Sequence, residues 1–332
     1  MAGPPGIEPG TYGLRASTHP VQRFGPPLYL TELRALLVFF VKYGFDNAFI
    51  NLALKVCLFS LCVGGFGLGE VVFVGVGLHD DGGISLKGLE EVRGADSVFI
   101  ELYTSLLPGF SLERFEALAG KALRVVSRRE LEEENGEVVL RAAERGKAVL
   151  LVPGDPFIAT THIALRIAAE KRGIKTRVVH GASIISAAVG LSGLHNYKFG
   201  KSVTIPFPEN FSETPYMVIA QNKSLGLHTL CLLDINVEEN RYLSVSEALK
   251  NLLKVEEKRK MGVVTSGTLV VGVARAGSPN PTVKADSVNE LLVYDFGGPP
   301  YSLIFPGKLH FMEAEALMVL AGAPSSVLEL VE

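Results

Sequence analysis

The sequence predicts an α/β protein with open sheets, parallel at least in the first half, and helices packed on the sheet faces. Three observations predict it. Short apolar runs end in glycine or proline, as buried parallel strands do where they feed loops. Capped segments of helical length lie between these runs. The 332 residues are 48% hydrophobic and 20% charged, enough for about two domains with real cores and unlike a disordered chain.

The elements follow in order. Val71-Val-Phe-Val-Gly-Val-Gly77 reads as a buried strand, and Ser85 can cap a helix through about Arg93. Ser97-Val-Phe-Ile-Glu101 is a second strand, followed by a short helix near 112–118. Residues 123–126 make a third strand, with one charged helix expected over 129–145. Ala148-Val-Leu-Leu-Val152 is a fourth strand, ending at Pro153-Gly-Asp-Pro156. A helix over 161–171 leads to a fifth strand over 175–179.

After about Tyr197 the spacing changes. Strands are expected at 202–206, 229–235, 269–274, 290–294 and 301–305, with helices around 215–225, 244–260 and 309–320. The two halves share no period, so they read as two domains, 71–197 and 198–332, joined near 195–200.

Residues 1–70 differ from the rest. The first 27 hold six prolines and five glycines without helical or strand period. Residues 33–68 turn apolar but are interrupted by Lys42, Asp46 and Lys55, and their longest uncharged stretch, 56–69, falls short of the roughly 20 residues of a membrane span. A membrane or docking anchor and an accessory helical hairpin are two readings. The third, which is the expectation, is an upstream segment added by a mis-assigned start.

Composition narrows the chemistry. Thirty-two Lys plus Arg against 35 Asp plus Glu leave a net charge of −3, which is not the footprint of a general nucleic-acid binder. Cys57, Cys62 and Cys231 form no C-x-x-C pair, so neither a disulfide framework nor a metal site is expected. A reducing, cytoplasmic setting is the default. Gly75-Val-Gly77 is not a dinucleotide fingerprint, because Asp80 stands where its third glycine would fall. The phosphate-binding loop and the G-x-S-x-G nucleophile elbow are absent too. Asp80-Asp81 reads as a surface turn, and His162, His180, His195, His228 and His310 as structural histidines.

Ligands of open α/β sheets sit beyond the carboxyl ends of the strands. Two post-strand loops stand out there. Gly154-Asp155-Pro156 follows the fourth strand, and Gly181-Ala-Ser183-Ile184 follows the fifth. Each has a bland alternative: an Asp-Pro turn for the first, a helix cap by Ser183 for the second.

Seven collinear motifs resemble one family. They are Val74-Gly-Val-Gly-Leu78, Glu101-Leu-Tyr-Thr-Ser105, Pro153-Gly-Asp-Pro156 with Ala159-Thr-Thr-His162, Gly193-Leu-His-Asn-Tyr-Lys-Phe-Gly-Lys201, Gly226-Leu-His-Thr229, Ala274-Arg-Ala-Gly277 and Pro306-Gly-Lys-Leu-His310. Over about 71–330 the chain resembles the diphthine synthases, which have the tetrapyrrole-methylase-like fold. The resemblance implies a two-domain methyltransferase, a homodimer, with S-adenosylmethionine bound in the cleft between domains. The implied protein substrate is translation elongation factor 2, trimethylated on the amino group of a modified histidine to give diphthine.

By the same resemblance the cofactor positions are Leu78, Asp155, Ile158, Ser183, Ile184, Leu233, Ala276 and Tyr301. Two departures stand out: Tyr301 follows Pro299-Pro300 where histidine is expected, and Gly181-Ala-Ser183 lacks the proline expected before its serine. An extra residue is also expected in the 186–190 segment. The implied chemistry is in-line methyl transfer from a sulfonium to a neutral amine, which depends on positioning and exclusion of water and on no metal. No general base is evident in the sequence. The rivals are a cobalamin-pathway precorrin methyltransferase and a membrane-tethered, non-catalytic binding protein.

Overall fold

Strand β1 (Glu70–Gly75) opens the fold one residue before the valine at which the pattern is expected to begin. The computed structural model describes residues 69–331, so the readings made for 1–68 lie outside the described residues. Glu70 is an integral part of the strand end. Its carboxylate accepts Arg177 Nε at 2.7 Å and Nη2 at 3.0 Å, while Glu91 takes the other face of the same guanidinium at 2.6 and 2.8 Å.

Alternating elements follow: α1 (Leu86–Arg93), β2 (Ser97–Glu101), α2 (Leu112–Ala119), β3 (Arg124–Val126), α3 (Glu137–Ala143), β4 (Lys147–Val152), α4 (Ile163–Lys171) and β5 (Lys175–Val179). The five strands are parallel, in the order β3-β2-β4-β1-β5. Strand periodicity divides the core. Val71 and Phe73 pack with Val139, Leu140 and Leu165 on one face, whereas Val72 and Val74 pack with Leu89, Val92 and Phe115 on the other.

The single helix expected over 129–145 is broken. One wide turn spans Arg129–Glu133, and Asn135 and Gly136 then take left-handed φ values of 54° and 65° before α3 starts. Charge density predicted helix here, but the Asn-Gly pair ends it. The acidic turn is structural, as expected: Asp80 caps Gly82 N–H, and Asp81 pairs with Arg114 at 2.7 Å.

The second sheet is built from β6 (Val203–Ile205), β7 (Thr229–Leu233), β10 (Leu269–Ala274), β11 (Thr282–Ser287) and β12 (Tyr301–Phe305), in the order β11-β10-β12-β7-β6. Only β6 and β7 run parallel in it. A small hairpin, β8 (Ile235–Asn236) with β9 (Arg241–Tyr242), lies beside it in sequence. The helices of this half are α5 (Ile184–Ser192), α6 (Thr214–Ser224), α7 (Val245–Arg259), α8 (Val288–Leu291) and α9 (Phe311–Ala321). Helix α5, though it follows β5 directly, places Ala188 in the core of the second sheet beside Ala314 and Leu317. Its nine residues, the 186–190 segment among them, run without interruption.

One expected strand is absent: residues 290–294 hold the end of α8, which Ser287 caps, and the turn that follows it. A strand lies just before α8 instead, in β11. Thr282-Val-Lys-Ala-Asp-Ser287 reads as polar because β11 is an edge strand that buries fully only Ala285.

Four donors from three segments, 195–198, 228 and 310, meet at the buried carboxylate of Glu313. It accepts His195 N–H at 2.8 Å, His310 N–H at 2.8 Å, Lys198 Nζ at 2.7 Å and His228 Nε2 at 2.9 Å. Gly307 N–H closes the knot on His228 Nδ1 at 2.9 Å. Burial alone would raise the Glu313 carboxyl, but these donors outweigh it and hold the group at about 2. Burial pushes the His228 imidazole down.

Two predictions follow from this packing. A Cβ at Gly75 would fall on Gly154 O and Gly181 N, all backbone atoms, so Gly75→Ala is expected to destabilise the fold by roughly 1–3 kcal/mol. Unchanged denaturant midpoints would contradict that. For Glu313, a carboxyl lowered from 4.5 to about 2 stabilises the fold above pH 4.5 and loses that contribution as pH falls toward 2. Glu313→Gln is therefore expected to lose about 2 kcal/mol at neutral pH. Its stability should also fall less steeply with acid than that of the parent, as read by denaturant titration across that range.

Candidate functional site

The ends of β1, β4 and β5 meet at three glycines. Gly75 ends β1, while Gly154 and Gly181 lie just past β4 and β5. A Cβ on Gly75 or Gly181 would collide with backbone of the neighbouring loop. Their side-chain-free contact lets the loops converge, and Gly77 and Gly154 then bridge through Gly154 N–H to Gly77 O at 2.7 Å. Gly154 adopts φ +69°, and a Cβ there would meet nothing closer than 3.9 Å. It stands on the lining of a cavity.

That cavity has a volume of about 280 Å³. Loops after the parallel strands form one wall, and Thr204, Leu232, Leu233, Asp234, Val273, Ala276 and Tyr301 of the second half form the other. Gly277 keeps the walls close: at φ +86°, a Cβ there would sit 2.6 Å from Leu78 Cβ. The lining is mixed, with aliphatic side chains interrupted by hydroxyls, which suits a ligand having a flat apolar ring and a polar tail.

Seven of the eight residues singled out in the sequence line this one cavity: Leu78, Ile158, Ser183, Ile184, Leu233, Ala276 and Tyr301. Ser183 also caps α5, accepting Ile185 N–H at 3.3 Å, so the helix cap of the bland reading is present at a residue that lines the cavity. Tyr301 opens β12, and its hydroxyl donates to Gly297 O.

Asp155 stands apart. Its side chain is 8% exposed, accepts Phe157 N–H at 3.1 Å, and meets His180 Nδ1 at 2.7 Å. It shapes the loop that carries Ile158 and is not among the residues lining the cavity. The Asp-Pro turn of the bland reading is thus present, with its carboxylate turned toward the protein.

Sequence reasoning missed much of the polar lining: Tyr103, Thr104, Arg128, Glu132, Thr161 and Asp234. Tyr103, Thr104 and Thr161 belong to the collinear motifs, which give them no role. Their signal is Glu101, fully buried at the end of β2. It accepts Tyr103 N–H at 3.0 Å and Thr104 N–H at 3.1 Å, and meets His162 Nε2 at 3.1 Å. Glu101 thereby fastens the 101–105 loop to the start of α4, next to Thr160 and Thr161. Arg128 and Glu132 reach the cavity from the broken helix, which a continuous helix over 129–145 did not anticipate. Among the described residues no group of His, Cys, Asp and Glu could hold a metal ion, and no helix is long and apolar enough to cross a membrane.

Comparison with known proteins gives this geometry its family. The family model for Tetrapyrrole (Corrin/Porphyrin) Methylases matches residues 70–291. Diphthine synthase of Methanocella arvoryzae is 51% identical over 254 residues, covering 76% of this chain and 98% of the relative. Diphthine synthase of Methanothermobacter thermautotrophicus is 46% identical over 258 residues, 77% of this chain and 97% of the relative. A solved diphthine synthase superposes with a TM-score of 0.73 at 42% identity, covering 79% of this chain and all of that one. The chain belongs to the tetrapyrrole methylase family and, within it, to the diphthine synthases, and it is a methyltransferase.

Proposed function

We propose that this methyltransferase trimethylates the amino group of the modified histidine of translation elongation factor 2, forming diphthine, with S-adenosylmethionine as methyl donor. The observation that carries the reading is the convergence of Leu78, Ile158, Ser183, Ile184, Leu233, Ala276 and Tyr301 on one cavity. Relatives matched over 98–100% of their own length, and over 76–79% of this chain, share the name at about half identity. The lining fits the donor, because Leu78, Ile158, Ile184 and Leu233 offer apolar surface to an adenine ring. Gly154 leaves room for a ligand to approach the backbone. When bound, the donor supplies a methyl group activated on a sulfonium.

The chain's own task is positional. Its side chains hold the amine close and in line, and its aliphatic walls keep out water that would otherwise solvate the amine. Asp155 contributes at one remove, by fixing the loop before Ile158. The protein is expected to work in the cytoplasm as a homodimer. Phe311, Met312, Val319 and Leu320 leave apolar surface exposed on α9, and Val319 is 75% exposed, which is the kind of face that a second copy covers.

The test is the mass of elongation factor 2 carrying the unmethylated precursor, after incubation with this protein and S-adenosylmethionine. A gain of three methyl groups is expected. No gain, with methylation of a precorrin in its place, would move the assignment to the tetrapyrrole branch. A second expectation concerns Asp155→Ala. Loss of the Phe157 cap and the His180 contact should weaken donor binding by roughly 1–3 kcal/mol. Calorimetry giving the parent's affinity would leave the Gly-Asp-Pro loop as a turn without a part in binding.

A further inference from the structure

The resemblance assigns nothing to the part of the cavity formed by Tyr103, Arg128, Glu132 and Thr161. Tyr103 is 4% exposed there. The edge of the His162 ring packs on it at 6.3 Å between centroids, and the Arg128 guanidinium lies 5.0 Å over its face. The Tyr103 hydroxyl nevertheless has no partner at full hydrogen-bond distance and angle among the described residues, and Glu132 is the acceptor that bears on it. A buried hydroxyl left unpaired costs about 1–3 kcal/mol, a cost removed when a ligand completes it.

Glu132 faces the same place. One carboxylate oxygen accepts Thr161 Oγ1 at 2.9 Å, and the other lies 4.0 Å from Arg128 Nη1. Two carboxylate oxygens offer about four acceptor sites, so capacity remains for a cation. A phenol whose oxygen accepts from no described donor, beside a carboxylate with acceptor sites to spare, is a receptor for a primary amine. It offers a neutral oxygen for one N–H and an anionic oxygen for another.

We propose that Tyr103 and Glu132 hold the acceptor amino group, Tyr103 as its hydrogen-bond partner and Glu132 as the acceptor of its proton. The inference rests on the proposed reading that the acceptor is an amine. At neutral pH the amine arrives as an ammonium ion without a lone pair. One N–H proton passes to a Glu132 oxygen, and the N–H electron pair becomes the lone pair that forms the new N–C bond. The pair of the broken C–S bond stays on sulfur. Glu132 is 29% exposed and passes the proton on to water. Burial, and then the charges of Glu101 and Glu132, push the Tyr103 hydroxyl well up, so it stays protonated through the cycle. The groups facing it are Glu101, Glu132, Arg128 and His162.

The test compares the full chain with Tyr103→Phe, which keeps the ring and its packing, and with Glu132→Gln. Three quantities are read: donor affinity by calorimetry, methyl transfer to elongation factor 2, and binding of n-butylamine in the presence of S-adenosylhomocysteine by saturation-transfer NMR. Both variants should bind the donor like the parent, bind n-butylamine about tenfold more weakly, and show kcat lower by about 100-fold. Glu132→Gln should regain rate as pH rises toward the amine's own deprotonation. Parent-like kcat with parent-like amine affinity in either variant would overturn the inference. So would a loss confined to donor affinity, or an amine that fails to bind the parent. If the parent leaves elongation factor 2 unmethylated yet binds the amine through Tyr103 and Glu132, the proposed substrate falls and the amine site stands.

Discussion

No side chain fits where β1, β4 and β5 end, and the rest of the molecule is arranged around that constraint. A β-carbon at Gly75 or Gly181 would occupy space already taken by backbone of the adjacent loop. Because these positions are bare, the loops after three parallel strands draw together instead of splaying. The cavity then opens beside Gly154, where a Cβ would make only ordinary van der Waals contact. Leu78 against Gly277 brings the second half of the chain to the same place. Ligand sites in open α/β sheets gather at strand carboxyl ends, and here the gathering has a specific steric cause.

Two buried carboxylates tie distant loops together. Glu101 ties the loop after β2 to the start of α4, and Glu313 ties the 195–198 segment and His228 to the start of α9. Each satisfies an otherwise costly buried charge with several donors. The motifs containing His195, Lys198, His228 and His310 converge on Glu313 and not on the cavity. Sequence patterns of this kind carry a family's fold as much as its chemistry.

This explains what was legible in the sequence. The parallel sheet was readable from β1 and β4, because strands buried on both faces show continuous valine and leucine. Strand β11 was not, because an edge strand buries only Ala285 fully and carries Lys284 and Asp286. The helix break at Asn135 and Gly136 was hidden by the charged run on either side. For the site, the aliphatic half came with the resemblance. The polar half, Tyr103, Arg128 and Glu132, was invisible because the first belongs to a motif whose anchor is a buried carboxylate, and the others to a helix that does not continue. The place of Asp155 in its loop points to the ligand, yet its carboxylate finds Phe157 N–H two residues on and His180 just past β5, two strands over in the sheet. Only three-dimensional geometry separates a carboxylate turned outward from one turned back.

The central claim is that the cavity between the two sheets is the methyl donor's site. A crystal structure of the protein with S-adenosylmethionine or S-adenosylhomocysteine tests it most directly. The account predicts density for the adenosyl group against Leu78, Ile158, Ile184 and Leu233, with the cavity otherwise lined as described. Ordered ligand elsewhere on the molecule, with this cavity filled only by water at saturating ligand, would contradict it.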